Sequence, residues 1–213
     1  MNAAPAFALL ACLLAGCAAG PSAETPWIDL FDGRSLAGLE VTDFGGQGQV
    51  EVRDGRLRLG FGSPLTGVTW RTALPAGDYE LRVVAAREDG SDFFCALTFP
   101  VGDAHLTCVL GGWGGSLCGF SSLDGHDAAH NDTRKLRRFE DGRDYELRIV
   151  VQSDLVAATL DGDDLCRIDP RRHRLGLRPE VLLSRPLGIA SFATAASVRV
   201  VQWRPRAAAP NSP

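Results

Sequence analysis

The sequence predicts an all-β protein, a sandwich of the jelly-roll kind, on three observations. Apolar runs between residues 27 and 203 are short or alternate with polar residues, nearly every boundary carries turn chemistry, and no helically spaced apolar run exceeds two turns. Strands recurring at roughly 8–12 residue intervals are the signature of sandwiches and jelly rolls.

Each expected element follows from local chemistry. Trp27 to Phe31 alternates and stops at Asp32-Gly33. Val50 to Arg53 and Arg56 to Leu59 flank Asp54-Gly55, a dipeptide that tolerates the positive φ angles of a two-residue hairpin turn. Val68 to Thr72 and Tyr79 to Arg87 follow, then Phe93 to Phe99, His105 to Leu110 and Ser116 to Ser121. Beyond a polar stretch, Tyr145 to Val151 and Val156 to Leu160 meet near Ser153-Asp154. Asp161-Gly162-Asp163 leads into Leu165 to Ile168, and Leu187 to Phe192 and Val198 to Trp203 close the domain. Asp78 to Val84 echoes Asp144 to Val150, but the flanks do not match. Two long strands, each with Glu and Arg on the face away from the core, account for the echo, which is structural.

The two ends read differently. Residues 1–16 carry no charged side chain and centre on an apolar run, Ala6 to Leu14, too short to span a bilayer and suited to a signal peptide. It runs into Leu14-Ala15-Gly16-Cys17, which resembles the lipobox of bacterial lipoproteins. Cleavage before Cys17 would leave a lipidated cysteine, with an ordinary cleaved signal as the alternative. Residues 17–26 then form a lipid-anchored tether, 27–204 the domain, and 205–213 a disordered tail. The expected location is the cell envelope, with the membrane touched through the anchor only. Net charge is −4, Lys135 is the sole lysine and no basic run occurs, which argues against nucleic acid as a partner. Cys95, Cys108, Cys118 and Cys166 remain in the domain without CxxC spacing, so a zinc site is not expected. Disulfides and buried free thiols both fit.

The run Leu30-Phe31-Asp32-Gly33-Arg34-Ser35-Leu36-Ala37-Gly38-Leu39 resembles the opening motif of the domain formerly called DUF1080, now named for 3-keto-disaccharide hydrolases and 3-keto-glucoside lyases or hydratases. The Asp54-Gly55 hairpin, Tyr79 to Arg82, and Pro186 to Ala190 through Val198 to Val200 also fit, so the resemblance covers about residues 27–204. It implies a concanavalin-like, lectin-like β-sandwich acting on carbohydrate. The chain departs from the better-known branch at Gly90-Ser91-Asp92, where Asn-Ser-Gly is usual, and at Thr107-Cys108-Val109, where a Glu-x-Gln element is usual. Both departures remove polar groups from the sheet face where such domains place their site.

A non-catalytic carbohydrate-binding module at the cell envelope is the alternative to the implied chemistry, which removes a proton beside a sugar ketone and requires a base and a group to hold the enolate oxygen. Base candidates lie in one polar segment, Asp124 to Asp132, with His126 and Asp127 as catalytic groups. His126 and His130 would converge if the segment formed a helical turn, with Asp127 or Asp132 completing a divalent-metal site around His130. A solvated loop ordered by Asx turns is the alternative. Gly111-Gly112-Trp113-Gly114-Gly115 would leave the Trp113 indole free to stack on a sugar, or would plug the sandwich rim over a bulge. His105, Arg178 and Glu180 complete the substrate-binding candidates, with an ordinary ion pair as the other reading of Arg178 and Glu180. Asp92 reads as a turn residue at a strand start.

Overall fold

The computed structural model describes residues 25–206; the leader, Cys17, most of the tether, and the tail beyond Arg206 lie outside the described residues. The strands are β1 (Ile28–Asp29), β2 (Leu39–Val41), β3 (Val50–Arg53), β4 (Arg56–Leu59) and β5 (Leu65–Trp70). They continue as β6 (Tyr79–Gly90), β7 (Cys95–Val101), β8 (Ala104–Gly111), β9 (Leu117–Ser121) and β10 (Lys135–Leu136). The chain ends with β11 (Tyr145–Val151), β12 (Val156–Leu160), β13 (Asp163–Ile168), β14 (Gly188–Phe192) and β15 (Thr194–Pro205). One sheet has eight strands in the order β13-β12-β11-β6-β15-β4-β3, with β1 on β15; the other has seven, β10-β9-β8-β7-β14-β5-β2. The pairings are antiparallel, as expected for a sandwich. No described helix is long and apolar enough to cross a membrane.

Alternation sorts each strand into two faces. Leu81, Val83, Leu147 and Ile149 of the larger sheet meet Leu97, Phe99, Leu106 and Phe120 of the smaller in one buried core. Cys95, Cys108 and Cys118 belong to that core as free thiols, with Cys166 half-buried beside Cys108. Burial pushes the Cys95 thiol up to about 12 and Cys118 to about 11, so both act as small apolar side chains.

The turn chemistry holds in detail. Asp54 and Gly55 have φ 54° and 74°, the paired positive values of a type I′ hairpin turn. The same pair recurs at Asp161-Gly162, with φ 52° and 87°, and at Asp124-Gly125, with φ 53° and 87°. The echoed segments are neighbours: β6 pairs with β11, setting Arg82 opposite Arg148. Glu146 relieves that like-charge contact by accepting from Arg148 Nε at 2.6 Å and from Arg82 Nε at 2.7 Å. The opening motif is also structural. Asp32 Oδ1 accepts from the backbone N–H groups of Arg34 and Ser35, both at 2.8 Å, and Phe31 enters the core. These bonds hold the Asp32 carboxyl below its usual range. Two strands, β2 and β10, were not expected; at three and two residues they are too short to show a period.

Candidate functional site

The site is built on the outer face of the seven-stranded sheet. Register places Gly188, Thr98, Thr107 and Ser121 in one cross-strand row, and Ala190, Ala96, Val109 and Gly119 in the next. Small side chains therefore leave a shallow floor across four strands. Two segments rise above it and make a cleft of about 160 Å³. Asp92, Phe93, Phe192 and Trp113 form one side, and Arg178, Glu180 and Val181 the other.

The Trp113 side is tightly held. Gly111, Trp113, Gly114 and Gly115 have φ of 79°, 49°, 92° and 93°, so the chain doubles back through left-handed conformations. For a tryptophan that conformation is strained, and such strain gathers where function requires a fixed geometry. A Cβ on Gly111 would meet the Phe94 ring at 3.1 Å, and one on Gly115 the Arg87 guanidinium at 2.9 Å. Arg87 clamps the turn, donating to Gly115 O at 3.3 Å and Phe139 O at 2.8 Å and pairing with Asp141 at 2.5 Å. The indole is left 42% exposed at the cleft.

The opposite wall is a 3-10 helix, Pro179–Ser184, laid across the sheet. It can lie that close because β14 starts with Gly188, where a Cβ would stand 2.6 Å from Ser184 O. Arg178 bonds Glu180 and also reaches Asp127 Oδ2, at 2.9 Å. Arg178 and Glu180 therefore form the ion pair, and both line the cleft.

The segment from Asp124 to Asp132 is a series of turns, not the helical turn that would bring His126 and His130 together on a metal. Asn131 staples it to β9, its Nδ2 donating to Phe120 O and to Asp127 O, each at 2.8 Å. His126, His130 and Asp132 line a neighbouring polar cleft with Asp124, Arg172 and His173. His130 Nδ1 bonds Asp127 Oδ1 at 2.7 Å, so Asp127 links the two clefts through His130 and Arg178. Partial burial raises the Asp127 carboxyl, but His130, the Ala129 N–H and Arg178 outweigh it and hold the group below its ordinary range. No three His, Cys, Asp or Glu side chains among the described residues are placed to hold a metal ion. His105 lies near the start of β8, away from the cleft lining, with Nε2 unpartnered; burial and nearby Arg185 lower its pKa.

Sequence reasoning missed Ser121, Phe93 and Phe192. Register places Ser121 and Phe192 on their strands, and Phe93, just before β7, is tied to Phe192 by the Phe192 N–H donating to its carbonyl at 2.9 Å. Asp92, Thr107 and Val109, from the Gly90-Ser91-Asp92 and Thr107-Cys108-Val109 runs, line the cleft.

Comparison with protein-family models gives no match, and no curated protein matches. Solved structures do. The carbohydrate binding module CBM66 from Bacillus subtilis is 12% identical with TM-score 0.52, covering 78% of this chain and 95% of its own. SCLam, a non-specific endo-β-1,3(4)-glucanase from family GH16, is 11% identical with TM-score 0.53, covering 86% and 94%. The Crh5 transglycosylase in its apo form is 13% identical with TM-score 0.59, covering 87% and 85%. At this identity the likeness shows architecture alone. The domain has the lectin-like β-sandwich fold.

Proposed function

We propose that this domain recognises glycosides in the cleft between the Trp113 turn and the Arg178–Val181 segment. The observation that carries the reading is Trp113, a half-exposed indole held on strained left-handed backbone at the mouth of a cleft. A flat aromatic surface suits the C–H face of a sugar ring, and the nearby charged groups suit its hydroxyls. Carbohydrate binding and processing by proteins of this fold support the reading. The test is retention of the protein on immobilised glycans. Trp113→Ala should abolish it while the melting curve stays in place; undiminished retention would refute the role of the cleft.

A second reading, elimination or hydrolysis of 3-keto-glycosides, is favoured by the Leu30–Leu39 motif and by Glu180 beside Arg178. Glu180 supplies a carboxylate base and Arg178 a cation for an enolate oxygen. Asp127 suits the base role less, because both its oxygens are engaged. Release of the C1 substituent from a 3-keto-glucoside, lost in Glu180→Gln, would establish this chemistry. No release from folded protein would leave recognition as the function. Export and lipid anchoring at Cys17 belong to the same proposal. Cys17→Ala should move the protein from the membrane to the soluble fraction.

A further inference from the structure

The cleft has two zones of different chemistry. Its charged groups, Arg178 and Glu180, are part-exposed, with side chains 42% and 34% accessible. Its floor and inner wall are apolar: Ala96, Val109 and Val181 are buried, and the Phe93 and Phe192 rings stand 5.5 Å apart beside them. One polar atom in this inner zone has no partner. Ser121 lines the cleft floor and is 2% exposed, and its buried Oγ makes no hydrogen bond within the protein. Its neighbour in the row, Thr107, is already bonded to Thr98 at 2.9 Å. Buried hydroxyls are nearly always satisfied, so an open one on a cleft floor marks where a ligand atom completes the set.

A sugar ring alone fits this zone poorly. Nearly every ring carbon bears a hydroxyl, and burying those against Val109, Val181 and Phe192 would leave most of them without partners. We propose that the inner zone takes the flat apolar aglycone of a glycoside, an aryl group in the simplest case. The oxygen joining it to the sugar accepts a hydrogen bond from Ser121 Oγ. The sugar lies at the mouth, between Trp113 and the Arg178–Glu180 pair. This rests on the glycoside reading above and adds that selection is made chiefly on the aglycone.

The test is calorimetric titration of the protein with matched phenyl and methyl glycosides of glucose, galactose and mannose. For at least one sugar the phenyl glycoside should bind about tenfold tighter or better, as burial of a ring predicts. Ser121→Ala should weaken phenyl glycoside binding about fivefold, the scale of one hydrogen bond. Ala96→Phe, which fills the inner zone, should abolish the phenyl preference; Val109→Phe serves if the first variant does not fold. Equal affinity for phenyl and methyl glycosides would overturn the inference and leave glycoside recognition standing. Binding of phenol with no glycoside bound would overturn the glycoside reading itself. Phenyl preference unaffected by Ser121→Ala and by both filling variants would place the aryl group elsewhere and also overturn the inference.

Discussion

The two sheets turn opposite kinds of surface outward. The eight-stranded sheet presents charged side chains most of which satisfy one another, although Arg58 Nε on β4 is left without a partner. Arg148, Glu146, Arg82, Gln202 and Asp29 form one hydrogen-bonded line across β11, β6, β15 and β1, with contacts of 2.6 to 2.9 Å. Beside it, Asp144 takes a two-pronged bond from Arg56 and a further contact from Arg199 at 2.9 Å, and Glu80 pairs with Arg204 and Arg206. The seven-stranded sheet presents small side chains, a strained tryptophan and a buried hydroxyl without a partner. A surface whose polar groups largely satisfy one another asks little of a ligand. One that holds strain and an open hydrogen-bonding atom is arranged for something that comes from outside.

The largest expected effect separates the faces by sign. Trp113→Gly should cost glycoside binding tenfold or more, about 1.4 kcal/mol, because the stacking surface is gone. It should leave stability unchanged or raised, because glycine relieves positive φ at this position. Titration and thermal melting of the same sample check both halves. Arg87→Ala should weaken binding without touching ligand, by loosening the Gly111–Gly115 turn. It should also lower stability by about 1–3 kcal/mol, since Arg87 serves two carbonyls and one carboxylate from a mostly buried position.

On the opposite face the pattern should reverse. Asp144→Asn should lower stability by at most about 1 kcal/mol, after allowance for solvent screening of a part-exposed pair, and leave binding untouched. The Arg56 hydrogen bond is the largest cause holding the Asp144 carboxyl below its ordinary value, against a smaller opposing effect of burial. A folded pKa below the unfolded one stabilises the fold above about pH 4, where both states are ionised, and the gain is lost as pH falls through the folded value. The melting difference between wild type and Asp144→Asn should therefore be full near pH 7 and vanish in strong acid. The smallest effect belongs to Ser121→Ala in the free protein. Removing an unsatisfied hydroxyl should leave the melting temperature unchanged or slightly higher. A clear drop would show that Ser121 already has a partner, such as a bound water, and would blur the contrast.

These faces differ in how far they could be read from sequence. Period-two alternation in Tyr79 to Val84 and Tyr145 to Val150 declares the charged face, because Glu and Arg recur on the side away from the core. The Asp-Gly pairs at 54–55, 124–125 and 161–162 declare their turns because few other residues accept φ above zero twice in succession. The glycines around Trp113 also stood out, and so did Arg178 and Glu180, though nothing in their spacing said that they face each other across a cleft. That depends on β14 lying between β5 and β7 and on the 3-10 segment resting over Gly188, both products of long-range pairing. Ser121, Phe93 and Phe192 carry no local signal at all. His126 and His130 looked like a pair by spacing, but Asn131 and the Asp124-Gly125 turn fold their segment otherwise and commit His130 to Asp127.

The central claim is that ligand binds the seven-stranded face. It is tested most directly by mapping backbone amide shifts by NMR as an aryl glycoside is titrated into the protein. Changes should concentrate at Asp92-Phe93, Gly111 to Ser116, Ser121 and Arg178 to Val181, while Arg82, Glu146, Arg148 and Gln202 stay fixed. Shifts confined to the charged face, or saturable binding that leaves the Trp113 turn unperturbed, would contradict it.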